Sequence, residues 1–261
     1  MRKIKNFIHL LEGIFWVVFY KYPARNLKVI GVTGTDGKTT TSHLIYEMLL
    51  KAGKKVALSS TIGVVIGKEI IDTGFHVTTA SSKLLQKLIR KIADREIEYL
   101  VLEVTSHSID QYRVFGCNFN LSVFTNLTRE HLDYHPSFED YRETKMRFLS
   151  KTPITILNEL DPSFEYIKNR CRGQVIGYTL YKGKMNNPKL PGIYNLQNLA
   201  AVEKVAEVLK IDSDAVKDVV KNFSGVEGRM EEVKNDLGLK IIVDFAHTPN
   251  ALENVLKEVK G

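Results

Sequence analysis

From residue 27 onward the chain alternates short, wholly apolar runs with longer stretches whose apolar positions recur three and four apart. Leu27–Val32 (LKVIGV) is rich in β-branched residues, the mark of a parallel strand buried on both faces. A glycine-rich turn follows. TTSHLIYEMLLKAGKK then sets Leu44, Ile45, Met48 and Leu49 on one face of a helix that Gly53 ends. VALSSTIGVVI reads as a strand and hairpin, SKLLQKLIRKIADREI as a helix, and EYLVLEVTSHS as a buried strand running out into polar residues. NLSVFTNLT is the next strand, REHLDYHPSFEDYRETKMRFLSK a loop leading into a helix, and ITILN a further strand. Strands and helices alternating at this spacing predict an α/β fold, a doubly wound, mostly parallel sheet with a P-loop. In such sheets ligands bind beyond the carboxyl ends of the strands, where the polar residues of this chain cluster.

The stretch FIHLLEGIFWVVFYKYPARN stands apart from this rhythm. Its densest apolar run, Ile14 to Tyr20, is seven residues long, and His9 and Glu12 interrupt the part before it. That falls short of the ~20 apolar residues of a spanning helix. The basic start MRKIKN is followed by no small-residue cleavage site, so a secretory leader is not predicted. Two readings remain: a helix packed on the domain, or an amphipathic helix whose basic ends and aromatic face hold residues 1–24 at an anionic membrane surface.

Composition changes this picture little. With 261 residues, 44% of them hydrophobic, the chain can bury a real core. The net charge of +7 could suggest nucleic acid, but most of the excess is local: Arg2, Lys3, Lys5, Lys21, Arg25 and Lys28 oppose Glu12 alone. No aromatic and basic stripe appears, so no nucleic-acid partner is expected. Cys117 and Cys171 lie far apart, which predicts neither a disulfide framework nor a zinc site and suits a cytoplasmic protein, placed at the inner membrane face if the N-terminal helix docks there.

The chemistry starts at residues 31–41, GVTGTDGKTTT. A strict P-loop needs a glycine where Val32 stands, yet strand, turn, GKT and helix arrive in the required order. Backbone N–H groups freed by glycine converge on an anion at a helix N-terminus. Lys38 adds charge for the outer phosphates and Thr39 a hydroxyl for Mg²⁺; the bland alternative is a plain turn with a solvated lysine. Glu103 ends an otherwise apolar strand, where a carboxylate can serve Mg²⁺ beside Thr39 or simply form a salt bridge. Thr105, Ser106 and His107 crowd the same end, and His131 opens a second polar loop with Glu130, Asp133 and His135.

GVTGTDGKTTT, VTTASS, EVTSHSIDQYR, FTNLTREHLDYHPSFEDYRETK, GIYNLQNLAA, GVEGRMEEV and VDFAHTPNALENVL occur in this order. Together they resemble the Mur ligases, most closely the MurE type, from about residue 28 to the end. In that family TGTxGKT carries its leading glycine displaced, which accounts for Val32. The resemblance implies an ATP-dependent ligase of peptidoglycan precursor synthesis that joins an amino acid to UDP-MurNAc-L-Ala-D-Glu through an acyl phosphate. It implies ATP at Gly34, Thr35, Asp36, Gly37, Lys38, Thr39 and Thr40, with Asn195 and Asn198 at the adenine and Arg229 and Asp244 at the phosphates and ribose. By the same resemblance Lys38, Lys145 and His131 are catalytic, and Thr39 and Glu103 serve one Mg²⁺. His131 and a carbamylated Lys145 serve a second; position alone would make Lys145 a solvated helix lysine. Thr78, Thr79, Thr105, Gln111 and Arg113 fall at the UDP-muramoyl-dipeptide positions. An asparagine pair entering a helix would otherwise read as capping.

Three departures are mild: Asp36 for asparagine, Thr105 for serine and Glu130 for aspartate. The resemblance divides the chain into an N-terminal extension (1–26), a central ATP-binding domain (27–228) and the start of a C-terminal domain (229–261), read as one β-α unit. Relatives carry a uridine-binding domain before the first and complete the last, so the expectation is a short N-terminus and a C-terminal domain supplied in cis or in trans. Two alternatives stay open: another Mur-type ligase or a folylpolyglutamate synthase-like enzyme, and an ATP-binding module inactive as a ligase without its partner domain.

Overall fold

A computed structural model describes residues 2–72, 78–131 and 133–260. An opening helix, α1 (Arg2–Phe19), precedes β1 (Lys28–Thr33), α2 (Lys38–Lys51), the strands β2 (Val56–Ser60), β3 (Gly63–Ile66) and β4 (Glu69–Ile71), and α3 (Ser82–Asp94). There follow β5 (Tyr99–Glu103), a short α4 (Ser106–Asp110), β6 (Phe119–Phe124), α5 (Phe138–Leu149), β7 (Ile154–Asn158), α6 (Phe164–Lys168) and β8 (Gln174–Tyr178). The chain closes with α7 (Ile193–Leu209), α8 (Ser213–Asn222), β9 (Glu231–Val233), β10 (Ile241–Val243) and α9 (Pro249–Lys260).

Eight strands form one sheet in the order β4-β3-β2-β5-β1-β6-β7-β8. β2, β5, β1, β6, β7 and β8 run parallel, and only the β3–β4 edge is antiparallel. From β1 the chain moves two places one way, to β2, and later returns to add β6 on the other side. The order therefore reverses around β1, which is where an open α/β sheet leaves a crevice at its carboxyl ends.

The sheet is buried on both faces because its central strands alternate two apolar sets. Ile30, Val32, Val101 and Val123 face Leu44, Ile45, Met48 and Leu49 of α2 and Leu199, Val202 and Val205 of α7. Val29, Leu100, Leu102 and Phe124 face Leu85, Ile89 and Ile92 of α3 and Phe148 and Leu149 of α5. Gly31 breaks the second set for a steric reason: a Cβ there would come 2.6 Å from the Phe148 ring and 2.8 Å from that of Phe119.

Two predicted features differ in detail. The polar end of EVTSHS is not loop alone but the short helix α4, capped by the Thr105 hydroxyl. The tail is a β9–β10 antiparallel hairpin plus α9 rather than one strand and one helix, and α9 buries none of its residues. Residues 2–26 do pack on the domain, but with one face only. Val17 sits where Gly116 leaves room, and Gly13 lies against Phe115.

His43, on α2, shares a hydrogen bond with the Ser60 hydroxyl at the end of β2 (3.1 Å). Burial, with the Arg229 charge second, pushes its pKa down from 6.5 to about 4. The unfolded chain therefore takes up this proton near pH 6.5 while the folded chain resists it, so the contribution to stability is complete above pH 6.5 and is lost as pH falls to about 4. Its loss should cost of the order of 2 kcal/mol once partial exposure is discounted. Urea unfolding at neutral and acid pH should show this loss, and His43→Gln should shed that share of the pH dependence.

Candidate active site

The loop after β1 is shaped by two glycines with positive φ, Gly34 (153°) and Gly37 (79°). A Cβ on Gly34 would fall 1.8 Å from the Thr125 hydroxyl, and one on Gly37 would fall 2.7 Å from Asn198 Oδ1. Gly37 immediately precedes α2, whose first-turn N–H groups face the loop with no partner inside the helix. The segment following β6 clamps this turn. The Thr35 N–H donates to the Asn126 carbonyl and the Asp36 N–H to Asn126 Oδ1, both at 2.9 Å. The Thr125 hydroxyl donates to the Asp36 carbonyl (2.7 Å), and the Thr35 hydroxyl meets that of Tyr141 (3.0 Å). Lys38 folds back, Nζ donating to the Thr35 carbonyl at 2.6 Å.

Glu103, at the end of β5, is 1% exposed and points into the same crevice. Its Oε1 accepts from the Thr39 hydroxyl (3.1 Å), and its Oε2 from the Thr61 N–H (3.0 Å) and hydroxyl (3.1 Å). The Thr61 hydroxyl also reaches Thr78, and Thr79 donates to the Glu103 carbonyl. Arg229, from beyond α8, donates to the Thr39 hydroxyl at 3.0 Å.

On the opposite wall His131 holds a left-handed φ of 55° and sets its ring edge-on to His107, with centroids 4.8 Å apart. Burial lowers the pKa of both, His107 to about 4, so both imidazoles are neutral at pH 7 and available as acceptors. Glu130 Oε1 lies 3.5 Å from His131 Nε2 and 2.8 Å from His247 Nε2. Its Oε2 is buried with no hydrogen-bond partner among the described residues. His135 is enclosed instead and pairs with Asp140 (2.7 Å).

Lys145 corrects the reading of its position as solvated: it is 2% exposed. Its Nζ donates to the Gly34 carbonyl (2.8 Å) and lies over the Tyr141 ring (4.8 Å). Burial, reinforced by the charge of Lys38, drives its pKa well below the usual lysine value. The amine stands behind the loop rather than on the cleft wall.

That cleft has a volume of about 750 Å³. Residues 35–40, Thr78, Thr79, Glu103, Thr105, Arg113, His131, Asn195, Asn198, Arg229 and Asp244 all line it, whereas Gly34, Gln111 and Lys145 do not. Gln111 is one contact away, accepting from the Arg113 guanidinium (2.7 Å) and donating to the Tyr134 hydroxyl (3.3 Å). Arg113 also donates to the Thr79 carbonyl. Asn195 and Asn198 lie inside α7, so neither is its cap. Asn198 bridges Asn195 (3.0 Å) and the Thr41 hydroxyl (3.1 Å). Asp244 accepts from the N–H groups of Met230 and Ala246, tying the turn around Arg229 to the end of β10.

Some contributors escaped the reading of the sequence. Thr61 and Asn126 each follow a strand and signalled themselves only as polar residues at a carboxyl end. His247, Thr248 and Asn250, the latter two on the Asp36 carboxylate, stand in the VDFAHTPNALENVL block but were given no role of their own.

The chemistry this site can offer a metal is oxygen-based. Thr39 and Glu103 form one hard-donor pair, and Glu130 beside His131 supplies another carboxylate with an unused oxygen. Among the described residues no three His, Cys, Asp or Glu side chains form a ready-made cage. The oxygen donors Thr39, Glu103 and Glu130 suit Mg²⁺, which keeps several waters and takes one or two carboxylates together with substrate phosphates.

Residues 32–198 match the Mur ligase middle domain family. The chain is 35% identical, over 93% of its length, to the UDP-N-acetylmuramoyl-L-alanyl-D-glutamate–2,6-diaminopimelate ligase of Geobacillus thermodenitrificans, and covers 56% of it. Its identity to the ligase of that name from Parabacteroides distasonis is 37%, over 95% of this chain and 55% of that protein. A solved structure of such a ligase superposes with a TM-score of 0.75 at 28% identity, covering 90% of this chain and 54% of the other. An L. casei FPGS mutant shares the fold at 16% identity (TM-score 0.76; 95% of this chain, 75% of that one). The chain spans about half the length of the curated relatives it matches. It belongs to the Mur ligase family and carries that family's middle domain.

Proposed function

We propose that this chain is the ATP-binding core of a MurE-type ligase, which activates the free carboxylate of UDP-N-acetylmuramoyl-L-alanyl-D-glutamate and joins it to an amino acid. The observation that carries the reading is the meeting of the Thr35–Thr40 loop, with Lys38, and the Thr39–Glu103 pair in one cleft with Arg113. Two anions, a triphosphate and a carboxylate, must be brought together there, and cationic and N–H donors in a water-poor cleft lower that barrier. Lys38 leaves the Thr35 carbonyl to reach the β- and γ-phosphates, and the N–H groups of α2's first turn hold the same anion. Thr39 and Glu103 would hold Mg²⁺, which would supply screening of the phosphate charge. The carboxylate oxygen then attacks the γ-phosphorus, ADP departs, and the amine displaces phosphate from the acyl phosphate to form the amide.

Asn195 and Asn198 face the adenine, and Arg229 and Asp244 the phosphates and ribose. Thr78, Thr79, Thr105, Gln111 and Arg113 take the muramoyl dipeptide. Arg113 suits a carboxylate or pyrophosphate because its guanidinium donates two parallel bonds. Lys145 acts after carbamylation. A neutral, buried amine is the form that adds to CO₂; an N–C bond forms, a proton leaves, and the uncharged amine becomes a carbamate anion that would serve a second Mg²⁺ with His131. The parts 1–26, 27–228 and 229–261 act as extension, catalytic core and the opening of an amino-acid-selecting domain, which is completed in cis or in trans.

Phosphate release from Mg-ATP with bicarbonate present should depend on UDP-N-acetylmuramoyl-L-alanyl-D-glutamate. Lys38→Ala should lower it by roughly a hundredfold or more while leaving the melting temperature in place. Release that ignores the dipeptide or survives Lys38→Ala would overturn the reading, and nucleotide binding without release would favour an inactive module. With ¹³C-bicarbonate, a carbamate resonance should appear in the NMR spectrum and vanish in Lys145→Ala; its absence would remove the second-metal assignment.

A further inference from the structure

α1 has two apolar faces, and only one of them is used. On the docked face the Arg2 guanidinium bridges Asp110 (2.8 Å) and Asp140 (2.7 Å), and Asn6 donates to Asp110 (2.8 Å). Farther along, Gly13 lies so close to Phe115 that a Cβ would sit 3.2 Å from it, and Val17 fills the space above Gly116. These contacts fix the helix against rotation. At about 100° per residue, the opposite face carries Ile4, Phe7, Leu11, Phe15, Val18 and Phe19. All six are between 51% and 69% exposed. The stripe runs about 22 Å and is held outward by the ties on the other side.

Charge identifies what covers it. Lys3, Lys5, Lys21 and Arg25 are exposed at the two ends of the stripe and have no ion pair among the described residues. The one acidic residue of the segment, Glu12, pairs with His9 (3.7 Å). An apolar, aromatic-rich face with basic ends is complementary to an anionic lipid surface. Among the described residues no helix is long and apolar enough to cross a membrane, so the fitting arrangement lies in the plane of the bilayer surface.

We propose that α1 seats this protein on an anionic membrane surface, its Phe and Leu side chains among the acyl chains and its lysines and Arg25 at the phosphate headgroups. The docked face then sets the orientation of the cleft. Asp110, which holds Arg2 and Asn6, also accepts from the Tyr134 hydroxyl (2.9 Å), and Tyr134 contacts Gln111 at the cleft rim. The proposal is independent of the ligase reading, since it uses no residue of the phosphate loop.

The test is co-sedimentation of the full chain with vesicles of phosphatidylcholine, with and without phosphatidylglycerol, across a salt series. Binding is expected only with the anionic lipid, weakening as salt rises. The double variant Phe7→Glu/Phe15→Glu should reduce it by about tenfold or more at an unchanged melting temperature, because both side chains are exposed. Lys3→Glu/Lys5→Glu should reduce it comparably. No binding, equal binding to neutral vesicles, or binding untouched by the Phe variants overturns the proposal. So does a dimer in sedimentation equilibrium that the Phe variants dissociate while vesicle binding is absent, which would assign the stripe to a second copy.

Discussion

A carboxylate taken out of water must be met by donors, and Glu103 is met from two directions at once. Thr39 reaches it from the first turn of α2 and Thr61 from the turn after β2. Leaving such an oxygen unsatisfied would cost about 1–3 kcal/mol or more, so the turn after β2 and the start of α2 are drawn toward the end of β5. That convergence makes the crevice. The loop between β1 and α2 is then held on its other side by Thr125 and Asn126 after β6. Strand order supplies the gap, and these side chains give it chemical character.

The Lys145 amine is the counterpart of this arrangement behind the loop. It is buried against the Gly34 carbonyl, where a charged ammonium is disfavoured by desolvation and by Lys38. A lysine that only stabilised the helix would gain nothing from such a place. Burial disfavours its charged form, and an uncharged amine is chemically useful. The C-terminal segment meets the cleft at Arg229 on Thr39, His247 on Glu130, and Thr248 and Asn250 on Asp36, while α9 has no buried residue. These four polar contacts gather at the cleft.

Much of this was legible in the sequence because it obeys local rules. LKVIGV, YLVLE and the helix after GKT announce themselves by period, and the phosphate loop by its glycines. The reversal of strand order around β1 is not local and had no signature. Lys145 shows the limit most clearly: an i, i+4 pattern says which face of α5 a residue occupies but not that the neighbouring loop will close over it. The donors Thr61 and Asn126 and the tail histidine His247 likewise depend on tertiary approach. For α1 the apolar content left two readings open, and the structure packs one face on the domain while leaving the other exposed.

The central claim is that Thr39 and Glu103 make this cleft a site for a metal-bound triphosphate. Calorimetric titration of the chain with ATP, in Mg²⁺ and again in excess chelator, tests it most directly. The account predicts about tenfold or more tighter binding with Mg²⁺, a gain of about 1.4 kcal/mol or more, and loss of that increment in Glu103→Gln. Equal affinity in the two conditions, or an increment that survives Glu103→Gln, would contradict it.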